Sequence, residues 1–73
     1  MTVEWRQPYS DTVAEIGYDS ERSELLVRWS RGGKVSVYSG VDWEQFEQVS
    51  KSPSVGSAIA SDIKPSHPHR YAR

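Results

Sequence analysis

The chain has 73 residues, nine of them basic and ten acidic, so its formal net charge is −1. This length permits one domain with a small core, and 36% apolar residues is too many for a fully disordered chain. The absence of cysteine excludes disulfides, thiolate catalysis and cysteine-based zinc sites. Because the chain has neither an apolar run of membrane-spanning length nor a signal-peptide pattern, we expect a cytoplasmic protein with no membrane partner.

Residues 1–10 show no sustained period, and we predict that they form a flexible N-terminal arm. Aromatic side chains and arginine often anchor protein interfaces. They predict a partner-binding surface made of Val3, Glu4, Trp5, Arg6 and Tyr9. The alternative is that the apolar members of this set dock on the protein's own core.

Apolar alternation predicts three β-strands, at residues 12–18, 24–30 and 35–39. A Gly-Gly pair after the second strand predicts a hairpin. The hairpin loop length decides which side chains of the third strand are buried. A two- or four-residue loop would bury Ser36 and Tyr38, whereas a three-residue loop would bury the valines of this strand. We favour the three-residue loop because it gathers large apolar side chains on one face.

Residues 41–50 carry Trp43, Phe46 and Val49 at three- and four-residue spacing, which predicts an amphipathic helix. Residues 54–63 carry an apolar residue at every fourth position and predict a second, short helix. Strands followed by helices are typical of an α+β layer. The predicted fold is therefore a three-stranded antiparallel sheet followed by two short helices packed on one of its faces.

The charge distribution divides the chain into a body and a basic tail. Residues 1–63 hold six basic and ten acidic side chains, a net charge of −4, whereas residues 64–73 hold three basic side chains and no acidic one. We predict a domain at 11–63 between the arm at 1–10 and an extended, flexible tail at 64–73. An acidic body disfavours non-specific nucleic-acid binding and suits a basic protein partner.

Four short runs follow one another along the chain: Ile16-Gly17-Tyr18-Asp19, Leu25-Leu26-Val27-Arg28-Trp29, Ser36-Val37-Tyr38-Ser39-Gly40-Val41 and Ser54-Val55-Gly56-Ser57. Their order resembles the KTSC domain, a small bacterial and phage module also found at the end of some lysyl-tRNA synthetases. The sequence departs from the family pattern where Ser36 replaces the first tyrosine of a Tyr-x-Tyr motif. Asp42 stands at the position of a helix-entry proline, and Ala58 and Ile59 replace an aromatic pair.

The KTSC resemblance implies an RNA-binding role. Basic side chains combined with an aromatic ring can grip single-stranded RNA. Around the predicted hairpin they give a candidate RNA-binding set of Arg28, Arg31, Lys34 and Tyr38. The alternative for the same residues is a sheet edge protected by charge.

In length and ends the chain also resembles small phage transcription regulators that bind the host RNA polymerase. This resemblance implies a protein that inhibits transcription initiation by interfering with engagement of the promoter-specificity (sigma) factor, with antitermination as a further role. Bacterial RNA polymerase is therefore the partner in our leading hypothesis, and RNA binding is the alternative.

We expect a non-enzymatic monomer without metal, cofactor or small-molecule substrate. His67 and His69 lie in the predicted tail without a third ligand, which a specific metal site requires. The serines have no neighbouring structured histidine and aspartate with which to form a hydrolytic triad.

Overall fold

The computed structural model describes residues 3–72. Within this range the chain forms, in order, β1 (Val3–Arg6), β2 (Val13–Asp19), β3 (Glu24–Trp29), β4 (Val35–Ser39), α1 (Trp43–Ser50), α2 (Val55–Ala58), a π-helical turn (Ile59–Ile63) and β5 (His69–Ala72). The three predicted strands and both predicted helical segments are confirmed to within a few residues at their ends.

Over residues 3–72 the sheet is a five-stranded antiparallel meander in the order β1-β2-β3-β4-β5, so the prediction of three strands is wrong, although the α+β class is correct. The two additional strands come from the segments predicted to be a flexible arm and a flexible tail. Each has four residues and pairs with one neighbour, β1 with β2 and β5 with β4. Such edge strands are held by backbone hydrogen bonds and bury few side chains, so they need no apolar alternation.

The β3–β4 hairpin has a four-residue loop rather than the favoured three-residue loop. A hydrogen bond of 3.0 Å from the Trp29 amide to the Lys34 carbonyl closes it. Because side chains alternate along a strand, this register turns Ser36 and Tyr38 toward the core-facing side of β3, as the alternative predicted. Tyr38 is only 1% exposed, and its ring buries more apolar surface than the valine that the favoured register would have placed there.

The core lies between the sheet and the helices. It consists of buried apolar side chains from both layers: Val13, Ile16, Tyr18, Leu25, Val27, Tyr38, Val41, Phe46, Val49, Val55, Ile59 and Ile63. The Tyr18 ring stacks on Phe46 with centroids 5.3 Å apart, and the Tyr18 hydroxyl donates a 2.7 Å hydrogen bond to the Val41 carbonyl. Full burial of a large apolar side chain contributes roughly 1.5–3 kcal/mol, so this cluster dominates the stability of the fold.

Helix α1 begins at a capping box and packs on one side of the sheet. The Asp42 carboxylate accepts a 2.8 Å hydrogen bond from the Gln45 amide, and the Gln45 side chain accepts one from the Asp42 amide. Phe46 on α1 packs against Tyr18 on β2. All side chains of β5 remain exposed, so the helices leave the β5 end of the sheet open. None of the helices within residues 3–72 is long and apolar enough to cross a membrane.

Candidate nucleic-acid interface

An open cleft of about 350 Å³ lies on the helix-facing side of the sheet, where the helices do not cover it. Its lining comes from three adjacent strands and from the residue that follows the π-helical turn: Trp29, Ser36, Tyr38, Lys64, His69 and Tyr71. The strand register explains the grouping, because Tyr71 lies opposite Ser36 and His69 lies opposite Tyr38. Cross-strand partners share a face of the sheet, so β4 and β5 present these side chains together.

Ser36 and Tyr38, both supplied by β4, are the most deeply buried residues of the lining. The Ser36 hydroxyl accepts a 2.7 Å hydrogen bond from the Trp29 indole Nε1, which fixes the indole ring at one wall. Burial raises the pKa of the Tyr38 phenol, and the nearby Ser36 hydroxyl offsets part of that rise. Tyr38 therefore stays a neutral phenol at physiological pH and offers a hydroxyl rather than a negative charge.

Strand β5 supplies the opposite wall of the cleft and is held near the start of its pairing with β4. The Ser39 amide donates a 3.0 Å hydrogen bond to the Pro68 carbonyl, and Arg70 pairs with Glu24 on β3 at 2.9 Å. The His69 ring lies 5.0 Å from the Tyr38 ring and 4.7 Å from the Tyr71 ring, measured between centroids. Tyr71 is 60% exposed and presents much of its ring to solvent.

Two lysines place positive charge next to the aromatic walls. Lys64 Nζ lies 5.5 Å from the centroid of the Trp29 ring, and Lys34 Nζ lies 5.3 Å from the centroid of the Tyr71 ring. Within the described range of residues 3–72, the cleft lining includes no carboxylate. Aromatic faces beside unpaired ammonium groups favour a ligand that is planar and carries negative charge.

The predicted RNA-binding residues do not form one patch. Tyr38 lines the cleft, and Lys34 stands at its rim over Tyr71. Arg28 points to the opposite face of the sheet, where it pairs with Glu15 at 2.8 Å. Arg31 is exposed in the hairpin loop, away from the cleft lining.

The residues of the predicted partner-binding surface lie mostly in β1 and are divided between the two faces of the sheet. Arg6 forms ion pairs with Glu4 and Glu47, and these hydrogen-bonded pairs raise the pKa of its guanidinium. Trp5 lies across Gly17 on the other face and is 40% exposed. Val3 is half-buried in β1.

Tyr9 is the fully exposed member of the same predicted set. It belongs to the connection between β1 and β2, at a depression of about 590 Å³ that this connection forms with residues 53 and 54. This depression is larger than the cleft that Trp29 and Tyr71 line. Apart from Tyr9, the residues that line the depression are prolines, serines, a threonine and an aspartate. No positively charged side chain is among them, so it does not suit an anionic ligand.

Sequence reasoning missed Trp29, Ser36, Lys64, His69 and Tyr71 as parts of one site. The favoured hairpin register puts Trp29 on the opposite face from Ser36 and Tyr38. Lys64, His69 and Tyr71 were assigned to a flexible tail. The aromatic and histidine residues alternating at 69 and 71 were the signal that could have indicated a strand, because residues two apart share a face.

Both histidines of residues 64–72 contact groups of the protein itself. His67 Nδ1 lies 2.9 Å from the Ser39 carbonyl oxygen, and His69 packs between two tyrosine rings. Across residues 3–72 no group of three or more histidine, cysteine, aspartate or glutamate side chains could hold a metal ion.

Comparisons with known proteins identify the family and the fold. The sequence profile of the KTSC domain matches residues 9–67 of this chain. The crystal structure of a KTSC domain protein from Yersinia pestis superposes with a TM-score of 0.88 at 21% sequence identity, over 99% of this chain and 100% of the other. No curated protein matches the chain.

Proposed function

This chain belongs to the KTSC domain family, and on that premise we propose that it is a non-enzymatic module that binds single-stranded RNA in the cytoplasm. The cleft formed by Trp29, Ser36, Tyr38, Lys64, His69 and Tyr71, with Lys34 at its rim, is the proposed binding surface; we name it the aromatic cleft. The observation that carries the proposal is the coincidence of the exposed Tyr71 ring and the half-buried Trp29 ring with two lysines on an otherwise acidic molecule.

The local charge of the aromatic cleft accounts for how a chain with a net charge of −1 attracts RNA. Affinity for nucleic acid depends on the cations next to the phosphates rather than on the net charge of the molecule. Two acidic groups on the other face of the sheet are neutralised, since Glu15 pairs with Arg28 and Glu24 pairs with Arg70. Lys34 and Lys64 therefore act on a ligand without a competing carboxylate in the cleft lining.

The salt dependence of binding follows from this count of cations. Two lysine–phosphate contacts to a single strand predict that log K falls with log salt with a slope of about −1.4. A charged hydrogen bond contributes roughly 1.5 kcal/mol, or about tenfold in affinity, so losing both lysines weakens binding by about 100-fold. Affinity from so few contacts is expected to be micromolar or weaker.

The experiment is a fluorescence anisotropy titration of a labelled single-stranded RNA of about ten nucleotides, at several salt concentrations. We expect saturable binding that the double substitution Lys34→Ala, Lys64→Ala weakens by about 100-fold and makes nearly independent of salt. Lys51→Ala is the matched control, because Lys51 pairs with Glu47 on α1 and is not part of the cleft. Absence of RNA binding, or equal binding by the double variant and the control, would refute the proposal. Single-stranded DNA of the same sequence tests whether RNA is preferred.

A second candidate function is the inhibition of bacterial RNA polymerase, with interference in sigma-factor engagement and a further antitermination role. The observation that favours it is the exposure of Trp5 and Tyr9, because tryptophan and tyrosine are frequent anchors of protein interfaces. Its test is affinity purification of host RNA polymerase on the immobilised protein, together with a promoter-dependent transcription assay. Tyr9→Ala should weaken inhibition while RNA binding is unchanged, and failure to retain polymerase with unaltered transcripts would reject this candidate.

A further inference from the structure

Resting on the proposed RNA-binding function, we infer that the aromatic cleft holds one unpaired base inserted between Trp29 and Tyr71, rather than following only the sugar–phosphate backbone. The ligand class is thus RNA with an unstacked base, in a single strand, a bulge or a strand end.

The spacing of the walls leaves room for one planar ring. Trp29 on β3 lies opposite Lys34, and its indole Nε1 reaches to 2.7 Å from the Ser36 hydroxyl, whereas Tyr71 on β5 lies directly opposite Ser36. Neighbouring strands lie about 4.8 Å apart and residues two apart on a strand lie about 6.8 Å apart, so the backbones of the two walls are about 12 Å apart along a diagonal. A flat ring between two aromatic rings needs about 7 Å, because each carbon contact takes roughly 3.5 Å. The diagonal separation is therefore wide enough for one base.

The volume of the aromatic cleft limits its ligand to one base. Pockets that bind small molecules range from roughly 300 to 1,000 Å³, and this cleft, at about 350 Å³, stands at the lower end. A site of this size suits one nucleotide and is too small for two bases stacked on each other. Ser36 is central to this opening, because its short side chain leaves the floor between the two rings unfilled.

The floor of the aromatic cleft carries two hydroxyl groups that can hydrogen-bond to the edge of a base. The Ser36 oxygen accepts the hydrogen bond from the Trp29 indole, and its hydroxyl proton remains able to donate to an acceptor. The neutral phenol of Tyr38 can either donate or accept. Bases present both donors and acceptors on their edges, so a base edge can hydrogen-bond to these two hydroxyls in addition to the contact that they make with each other.

The lysines stand where the phosphates on both sides of an inserted base would pass. Lys64 lies beside the Trp29 ring, and Lys34 lies beside the Tyr71 ring, so each wall has one ammonium group next to it. A nucleotide within a strand has a phosphate on either side. The two rings thus match the faces of one base, and the two ammonium groups match the phosphates on either side of it.

The test compares a short single-stranded RNA with an abasic ribose-phosphate strand of equal length and charge. Stacking of one base contributes roughly 1–3 kcal/mol, so we expect the abasic strand to bind about 5- to 150-fold more weakly. Tyr71→Ala should remove most of this difference by weakening only the binding of the base-bearing strand. Tyr9→Ala is the matched control, since Tyr9 is fully exposed outside the cleft, and should leave both affinities unchanged.

The outcomes separate this inference from the function on which it rests. If neither strand binds, the proposed RNA-binding function fails. If both strands bind equally well, RNA binding stands and the inserted base is refuted. If Tyr71→Ala weakens both strands to the same degree, Tyr71 does not stack on a base and the inference is again overturned. Circular dichroism of each variant establishes that its fold is retained.

Discussion

The substitution Gly17→Ala tests whether Trp5 on the sheet face opposite the helices has a structural role. Gly17 on β2 lies opposite Trp5 on β1. A Cβ added at residue 17 would stand 2.8 Å from Cε3 and 2.9 Å from Cδ2 of the indole. Carbon atoms pack at roughly 3.5–4.0 Å, so the added methyl would force the Trp5 ring away from the sheet.

The size of the effect follows from the area that Trp5 would expose. Trp5 is 40% exposed, and a tryptophan can bury up to about 250 Å², so displacing half of its buried part would expose about 75 Å². At about 25 cal/mol per Å² this costs about 2 kcal/mol. Alanine recovers roughly 0.5–1 kcal/mol because it loses less backbone entropy than glycine. Gly17→Ala should therefore lower the free energy of unfolding by about 1 kcal/mol.

The decisive measurement repeats this substitution in a Trp5→Ala background. Without the indole the added methyl meets no obstacle, so Gly17→Ala should then raise the free energy of unfolding by roughly 0.5–1 kcal/mol. Urea denaturation followed by circular dichroism measures all four proteins of the cycle. Equal destabilisation in both backgrounds would show that the cost does not come from the indole and would refute the reasoning.

The remaining predictions concern the capping box and the titration of the buried phenol. Asp42→Ala removes the side chain that accepts the Gln45 amide, so we expect a loss of about 1 kcal/mol in urea denaturation, whereas Glu44→Ala, also in the first turn but outside the capping box, should change stability less. Because burial raises the pKa of Tyr38, the unfolded chain loses this proton first as the pH rises. The stabilisation is complete below the ordinary tyrosine pKa of about 10 and is lost as the pH rises through the higher folded pKa. Above about pH 10, the urea midpoint of Tyr38→Phe should fall less steeply with pH than that of the unsubstituted protein. Identical slopes for these two proteins would contradict a raised pKa for Tyr38.

Helices and strands with a buried face could be predicted from the sequence, because burial of one face spaces the apolar residues at regular intervals. Helix α1 shows this most clearly, since Phe46 and Val49 face the core at the predicted spacing. Strand β3 likewise alternates buried Leu25 and Val27 with half-buried neighbours. Strand β5 has no buried side chain, so its position depends on backbone pairing with β4, which leaves no apolar period in the sequence apart from the alternating rings at 69 and 71.

The aromatic cleft was not predicted because it depends on a strand with no apolar period and on one loop length. Tyr38 was identified as a binding residue from its chemistry alone. A change of one residue in hairpin register decides whether Trp29 shares a face with Ser36 and Tyr38. Tyr71 reaches the site only because β5 returns beside β4. Local sequence therefore supplied the binding chemistry of individual residues, and long-range strand pairing supplied their grouping.

The most direct test of an RNA-binding aromatic cleft is a chemical-shift map of the isotope-labelled protein titrated with single-stranded RNA. The indole N–H groups of Trp29 and Trp5 serve as probe and internal control, because Trp29 lines the cleft and Trp5 lies on the opposite face of the sheet. We predict that the Trp29 indole and the amides of β4 and β5 around Ser36 and Tyr71 shift together as RNA is added, while the Trp5 indole does not move. Shifts centred on Trp5, or no shifts at saturating RNA, would contradict the account.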